Sequence, residues 1–150
     1  NQDKSNPQNL MKILSNKSIT KIFHYARFDL AVLQKNICKI NGPIFCTKLA
    51  SKICRTYGAK HGLKDLCNDL LKIEINKANQ TSDWGVNELS SEQLEYAATD
   101  VLYLHKLKNI LEKLLKREKK YDLALECFEF LKIRCDLDLA GFQDQDIFSH

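Results

Sequence analysis

The chain has 150 residues, 44% of them hydrophobic and 28% charged, a balance that fits one ordinary globular domain and excludes disorder or a fibrous repeat as the main state. Twenty-three Lys and Arg against nineteen Asp and Glu leave a formal charge of +4, compatible with a polyanionic partner and too small to identify one. The longest apolar stretches, residues 30–33 and 101–104, fall far short of the roughly 18 residues that span a bilayer, and residues 1–8 are too polar for a secretory signal.

Asn6-Pro7 reads as an N-cap followed by a first-turn proline, and Leu10, Ile13 and Leu14 give a short helix one apolar stripe that Asn16 closes. Residues 18–24 (SITKIFH) mix β-branched and aromatic side chains just before helical periodicity sets in. That pattern predicts a buried strand feeding a helix over about 26–36, with Leu30, Leu33 and Ile37 on one face. After the Asn41-Gly42-Pro43 connection, residues 44–46 predict a second short strand. Thr47 is the expected cap of a helix reaching about Tyr57, with Leu49, Ile53 and Cys54 inward and Gly58 as its stop. A shorter helix over about 63–71 follows His61-Gly62, and residues 72–84 form a polar connection of the length that often carries function.

The strongest local signal is a capping box, Ser90 with Gln93, opening one long helix through about Lys116. Its apolar positions Leu94, Ala97, Ala98, Val101, Leu104, Leu107, Ile110, Leu111 and Leu114 recur three and four apart, a stripe that needs a core on one side. A charged hinge at 117–120 leads to a further helix over about 123–133. The acidic tail 136–150 has apolar points at Leu137, Leu139, Phe142, Ile147 and Phe148 placed to strap back onto the domain. The fold class is α/β. Cys38, Cys46, Cys54, Cys67, Cys127 and Cys135 form no CxxC pair and sit inside apolar helical patterns, so reduced thiols in a cytoplasmic setting are expected rather than disulfides or a zinc site.

Asp29 lies just after the first strand, and in open α/β sheets the strand ends gather ligands. The plainer reading of Asp29 is a solvated first-turn carboxylate favoured by the helix dipole. Tyr96 and Asp100, four apart, share one face of the long helix. A carboxylate there can hold a hard divalent cation, and a phenol one turn away can orient a water for attack on phosphorus; the plainer reading is a surface Tyr–Asp hydrogen bond. Trp84 reads as a core anchor before a base-stacking platform. His61 and Lys64 sit near a helix start that could meet phosphate, with solvation the plainer reading. His24 reads as a satisfied core histidine, and with Arg27 it is the candidate nucleic-acid contact of its segment.

In combination these segments resemble the ribonuclease D family of the DEDD exonuclease superfamily, in the branch with a tyrosine in its last motif. KIFHYARFDL is similar to the family's second exonuclease motif and SDWGVNELSSEQLEYAATDVLYL to its third, the likeness running over about residues 13–115 through TKLASKICRTYGAKHGLKDLCNDLL. The resemblance implies an RNase H-like fold, two divalent ions, Mg²⁺ or Mn²⁺, and hydrolytic release of 5′-mononucleotides from the 3′ end of single-stranded RNA, with DNA the alternative strand. It assigns Asp29 and Asp100 as metal ligands and Tyr96 as the water-orienting residue, around ions about 3.5 to 4 Å apart.

The departure from the family lies at the start. The family opens with a strand carrying Asp-x-Glu, and Asp3 has neither an apolar strand around it nor a Glu two positions on. The expectation is therefore an N-terminally incomplete fold that exposes a sheet edge and lacks two of the four carboxylates on which the activity of such a chain depends, with a catalytically inactive nucleic-acid-binding relative as the alternative reading. Longer members carry helical HRDC domains after the catalytic one; about thirty residues follow the long helix here, so the resemblance is to the short bacterial form. A single exonuclease domain is expected over 1–150, its core about 7–117, with a C-terminal helix and tail over 118–150.

Overall fold

The computed structural model describes residues 7–57, 60–75 and 90–150. Helix α1 (Gln8–Ser15) starts after Pro7 and ends at Asn16; the expected cap Asn6 lies outside the described residues. Only Leu14 of its stripe is buried, while Leu10 and Ile13 face solvent.

Strands β1 (Lys21–Phe23) and β2 (Ile44–Cys46) pair in parallel, Lys21 opposite Ile44, Ile22 opposite Phe45 and Phe23 opposite Cys46. A parallel pair needs a crossover, and α2 (Ala26–Asn36) supplies it, with the bounds its periodicity predicts. All three residues of β2 are buried, as expected of a strand covered on both faces. Gly42 makes the turn into β2 with φ +81°, where a Cβ would come within 2.8 Å of the Asn16 and Lys17 carbonyl oxygens. Buried Lys21 ties this corner together by donating to the carbonyls of Asn16 and Asn41.

Helix α3 (Thr47–Cys54) departs from expectation at both ends. Its N-cap is Cys46, because the Thr47 hydroxyl is taken by the Phe23 carbonyl and the His24 ring rather than by its own helix. It stops at Cys54, since Arg55 leaves helical geometry (φ −119°, ψ 73°); Gly58, the expected stop, lies outside the described residues. Helix α4 (Leu63–Leu66) runs into a π-helical turn, Cys67–Leu71, closed by Lys72 in the left-handed region.

The capping box forms as predicted, Ser90 N–H donating to Gln93 Oε1 and Gln93 N–H to Ser90 Oγ. The single long helix does not. Helix α5 (Ser91–Leu102) and helix α6 (Leu104–Arg117) are separated at Tyr103, whose backbone (φ −93°, ψ −8°) leaves the regular helix while its ring packs against the core. Helix α7 (Tyr121–Leu137) follows a turn with Lys119 in the left-handed region and ends in a second π-helical turn, Asp138–Phe142.

The core joins Leu30 of α2, β2, Ala50 of α3, Leu66, one face of α6 and Ala124, Phe128 and Cys135 of α7. Phe45 and Phe128 meet at its centre with ring centroids 4.8 Å apart. Helix α7 thus completes the core instead of flanking it. The tail straps back through charge and one aromatic contact: Asp138 pairs with Arg27 and Arg134, and the Phe148 ring lies 5.8 Å from that of Phe130, although Leu139, Phe142, Ile147 and Phe148 keep much of their surface exposed. None of the six cysteines is joined in a disulfide, and no helix of the described residues is long and apolar enough to cross a membrane.

Candidate active site

The carboxyl ends of β1 and β2 lie side by side, and each delivers its chain directly into a helix. After β1 the turn is made by Tyr25 at φ 71°, ψ 49°, a left-handed conformation that costs an aromatic residue energy and recurs where a site demands it. The turn lets Ala26 bury completely, its N–H directed at Cys46 Sγ at 3.4 Å. Asp29 then emerges in the first turn of α2.

Asp29 is half-buried, and among the described residues no hydrogen bond or ion pair reaches it. Burial alone pushes its carboxyl up to about 6. A cation placed beside such a carboxylate restores the stabilisation it loses with its water. The plainer reading, a first-turn carboxylate favoured by the helix dipole, matches its place on α2, and part of its solvation is lost to burial.

Around Asp29 the strand ends are cross-linked. His24 Nδ1 lies 2.9 Å from Thr47 Oγ1, which also donates to the Phe23 carbonyl at 3.2 Å. Burial first, and the charge of Lys48 second, hold the His24 ring down at about 4, so it is a neutral, satisfied imidazole at physiological pH. The Lys48 ammonium sits 4.2 Å above the Tyr25 ring. Arg27, expected as a nucleic-acid contact, has its guanidinium in a two-pronged pair with Asp138 (2.7 and 2.8 Å) and on the Gln143 carbonyl (2.7 Å). Between α2 and this C-terminal turn lies an open cavity of about 600 Å³ lined by Tyr25, Arg27, Phe28, Val32, Lys35 and Asp138 among others.

Tyr96 and Asp100 both fall on α5, one turn apart. Their side chains, and all of Trp84, lie outside the described residues, and so does the expected convergence of Asp100 with Asp29. Among the described residues no three of His, Cys, Asp and Glu gather as a metal site. His61 is tied to Ser51 Oγ at 2.8 Å instead of standing free at a helix start. Asp138 is the residue that sequence reading missed: its partner Arg27 is 111 positions away, and no local pattern marks the pair.

Comparison with known proteins gives this arrangement a lineage. A family model described as 3′-5′ exonuclease matches residues 1–116. Ribonuclease D of Acidiphilium cryptum is 32% identical over 114 residues, which are 76% of this chain and 29% of that protein. The chain thus spans less than a third of the length of the curated relatives it matches. Brucella melitensis NrnC solved bound to pGG superposes with a TM-score of 0.90 at 54% identity, covering 95% of this chain and 69% of that one, and the same protein has been solved with bound Mg²⁺. The exoribonuclease RNase D of Escherichia coli superposes with a TM-score of 0.78 at 25% identity, covering 85% of this chain and 34% of that one. The α/β architecture, the matched residues and these relatives place the chain in the ribonuclease D-type 3′-5′ exonuclease family, with its RNase H-like fold.

Proposed function

We propose that the protein is a metal-dependent 3′-5′ exoribonuclease that acts as one domain and releases 5′-mononucleotides from the 3′ end of single-stranded RNA, with DNA the alternative strand. The observation that carries this reading is Asp29: a half-buried carboxylate without a donor among the described residues, raised to about 6 by burial, just beyond the carboxyl end of a parallel strand. Asp29 and Asp100 are the proposed ligands of Mg²⁺ or Mn²⁺, and their chemistry fits a hard dication. Bound in pairs, such ions stabilise the charge on the attacking and leaving oxygens of an in-line displacement. Support also comes from NrnC, solved with Mg²⁺ and with pGG.

Within this reading the chain's own residues have separate tasks. Asp29 supplies a negative charge already stripped of part of its water. Tyr96, one helical turn from Asp100 on α5, orients the attacking water. His24 and Arg27 act on the strand indirectly, His24 by holding Thr47 and so the ends of both strands, and Arg27 by its pair with Asp138.

The test is an Mn²⁺-dependent assay with 5′-labelled single-stranded RNA. Stepwise shortening from the 3′ end is expected, and RNA that is bound but never shortened would establish the inactive binder in its place. Tyr96→Phe should slow the chemical step by roughly 10²-fold while sparing Mn²⁺ affinity, and Asp100→Ala should weaken both. Wild-type rates in Asp100→Ala would overturn the site assignment.

A further inference from the structure

Asp138 belongs to the turn that ends α7, remote in sequence from Asp29, yet its carboxylate, 11% exposed, is gripped by two guanidiniums. Arg27 Nε and Nη2 take its two oxygens at 2.7 and 2.8 Å, and Arg134 Nη2 reaches it at 3.0 Å. The same arginines hold the backbone that presents it: Arg27 donates to the Gln143 carbonyl, and Arg134 to those of Phe142 and Gln145. A two-pronged guanidinium–carboxylate pair fixes orientation as well as distance.

What the pair orients is the first turn of α2. That turn has no side-chain cap and starts from the strained Tyr25, and it carries both Arg27 and Asp29. Asp29 has no partner of its own among the described residues, so its direction is set by the backbone that bears it. Farther along the same helix a second polar tie to α7 exists, Gln34 Nε2 to Asp136 Oδ1 at 2.6 Å. It lies five residues beyond Asp29, two turns from Arg27, and offers a built-in control.

We infer that Asp138 is a positioning residue for Asp29: by holding Arg27 it fixes the turn of α2 from which Asp29 reaches its metal. The inference rests on the reading of Asp29 as a metal ligand. Outer partners that orient a ligand commonly govern metal affinity without touching the ion.

The experiment measures free Mn²⁺ by electron paramagnetic resonance during titration of the whole chain and its variants, with far-ultraviolet circular dichroism to report folding. Asp138→Asn should weaken Mn²⁺ binding roughly tenfold, Asp138→Glu should recover part of the loss, and Gln34→Ala should leave affinity unchanged. A folded Asp138→Asn that binds Mn²⁺ like the wild type overturns the inference, and so does a Gln34→Ala loss equal to that of Asp138→Asn, since any α2–α7 contact would then serve. Asp29→Asn separates the two levels. If it too binds normally, the metal reading falls and takes the inference with it; if it alone loses the ion, only the positioning role fails. Should Asp138→Asn not fold, Arg27→Lys replaces it, keeping the cation without the planar fork. The same roughly tenfold loss is then expected, and wild-type affinity overturns the inference.

Discussion

Helices α5 and α6 are written in one apolar rhythm and meet at Tyr103, yet they use it in opposite ways. In α6 the stripe Leu104, Leu107, Leu111 and Leu115 is 7%, 0%, 0% and 0% exposed, packed among α3, α7, β1 and the first π-helical turn. In α5 Leu94, Val101 and Leu102 are 55%, 58% and 63% exposed. Periodicity names the face that could go inward; whether it does depends on which elements stand opposite, and those are set by the whole chain. Of the two, the helix that bears Tyr96 and Asp100 is the one whose Leu94, Val101 and Leu102 stay outside the core. Elements that must admit a ligand are drawn from the less stable parts of a fold.

Truncating one leucine in each helix gives the largest effect and the most direct way to break this contrast. Leu111→Ala removes a fully buried side chain from the centre of the core and should cost about 2–5 kcal/mol. Leu94→Ala should stay within about 0.5 kcal/mol. Urea unfolding of the two variants decides it: an equal loss in Leu94→Ala would mean that the apolar face of α5 is covered in solution, and the difference between the helices would vanish.

Much of the middle of the fold was legible in the residues. The bounds of α2 and β2, the Ser90–Gln93 capping box and the position of Asp29 beyond a strand all rest on short-range patterns, and they hold. What was not legible is long-range. The stripe running unbroken through Tyr103 predicts one helix, and nothing local marks the break where that ring packs against the core. Thr47 looks like a cap until β1 arrives beside it with the Phe23 carbonyl and His24. The tail was expected to strap back through its apolar points, and Phe148 does meet Phe130; the tie to α2 is made instead by Arg27 and Asp138, charges 111 positions apart. For the site, spacing pointed to Asp29, Tyr96 and Asp100 one by one, and only the resemblance joined them. The shift of the Asp29 carboxyl comes from burial, which no single segment encodes.

A smaller effect tests whether the two helices open separately. Ser90→Ala removes the hydroxyl that accepts from Gln93 N–H, and an N-cap of this kind is worth about 1 kcal/mol. If α5 opens on its own, the cost falls on α5: hydrogen exchange at its amides should speed up about fivefold, the equivalent of that energy, while α6 amides keep their protection. Equal acceleration across Tyr103 would show the two helices to be a single cooperative unit, and α5 would lose its separate standing.

The smallest effect concerns the outward face of α6, where Glu112 bridges Lys108 at 2.7 Å and Lys116 at 2.8 Å. Hydrogen bonds from Lys108 and then Lys116 hold its carboxyl down at about 2. A folded-state value depressed below the unfolded one means that the ionised form is favoured by folding, so the contribution is fully present above about 4.5 and is lost as pH falls toward 2. Each such pair one turn apart on a partly exposed helix contributes about 0.3–0.5 kcal/mol, so Glu112→Gln should cost less than about 1 kcal/mol at pH 7. Urea midpoints measured from pH 7 down to pH 2 should converge for wild type and variant. If the gap persists at the acid end, where the Glu112 carboxyl is neutral, the difference lies in how an acid and an amide hydrogen-bond at this position, and the ion pairs on the outward face of α6 carry none of it.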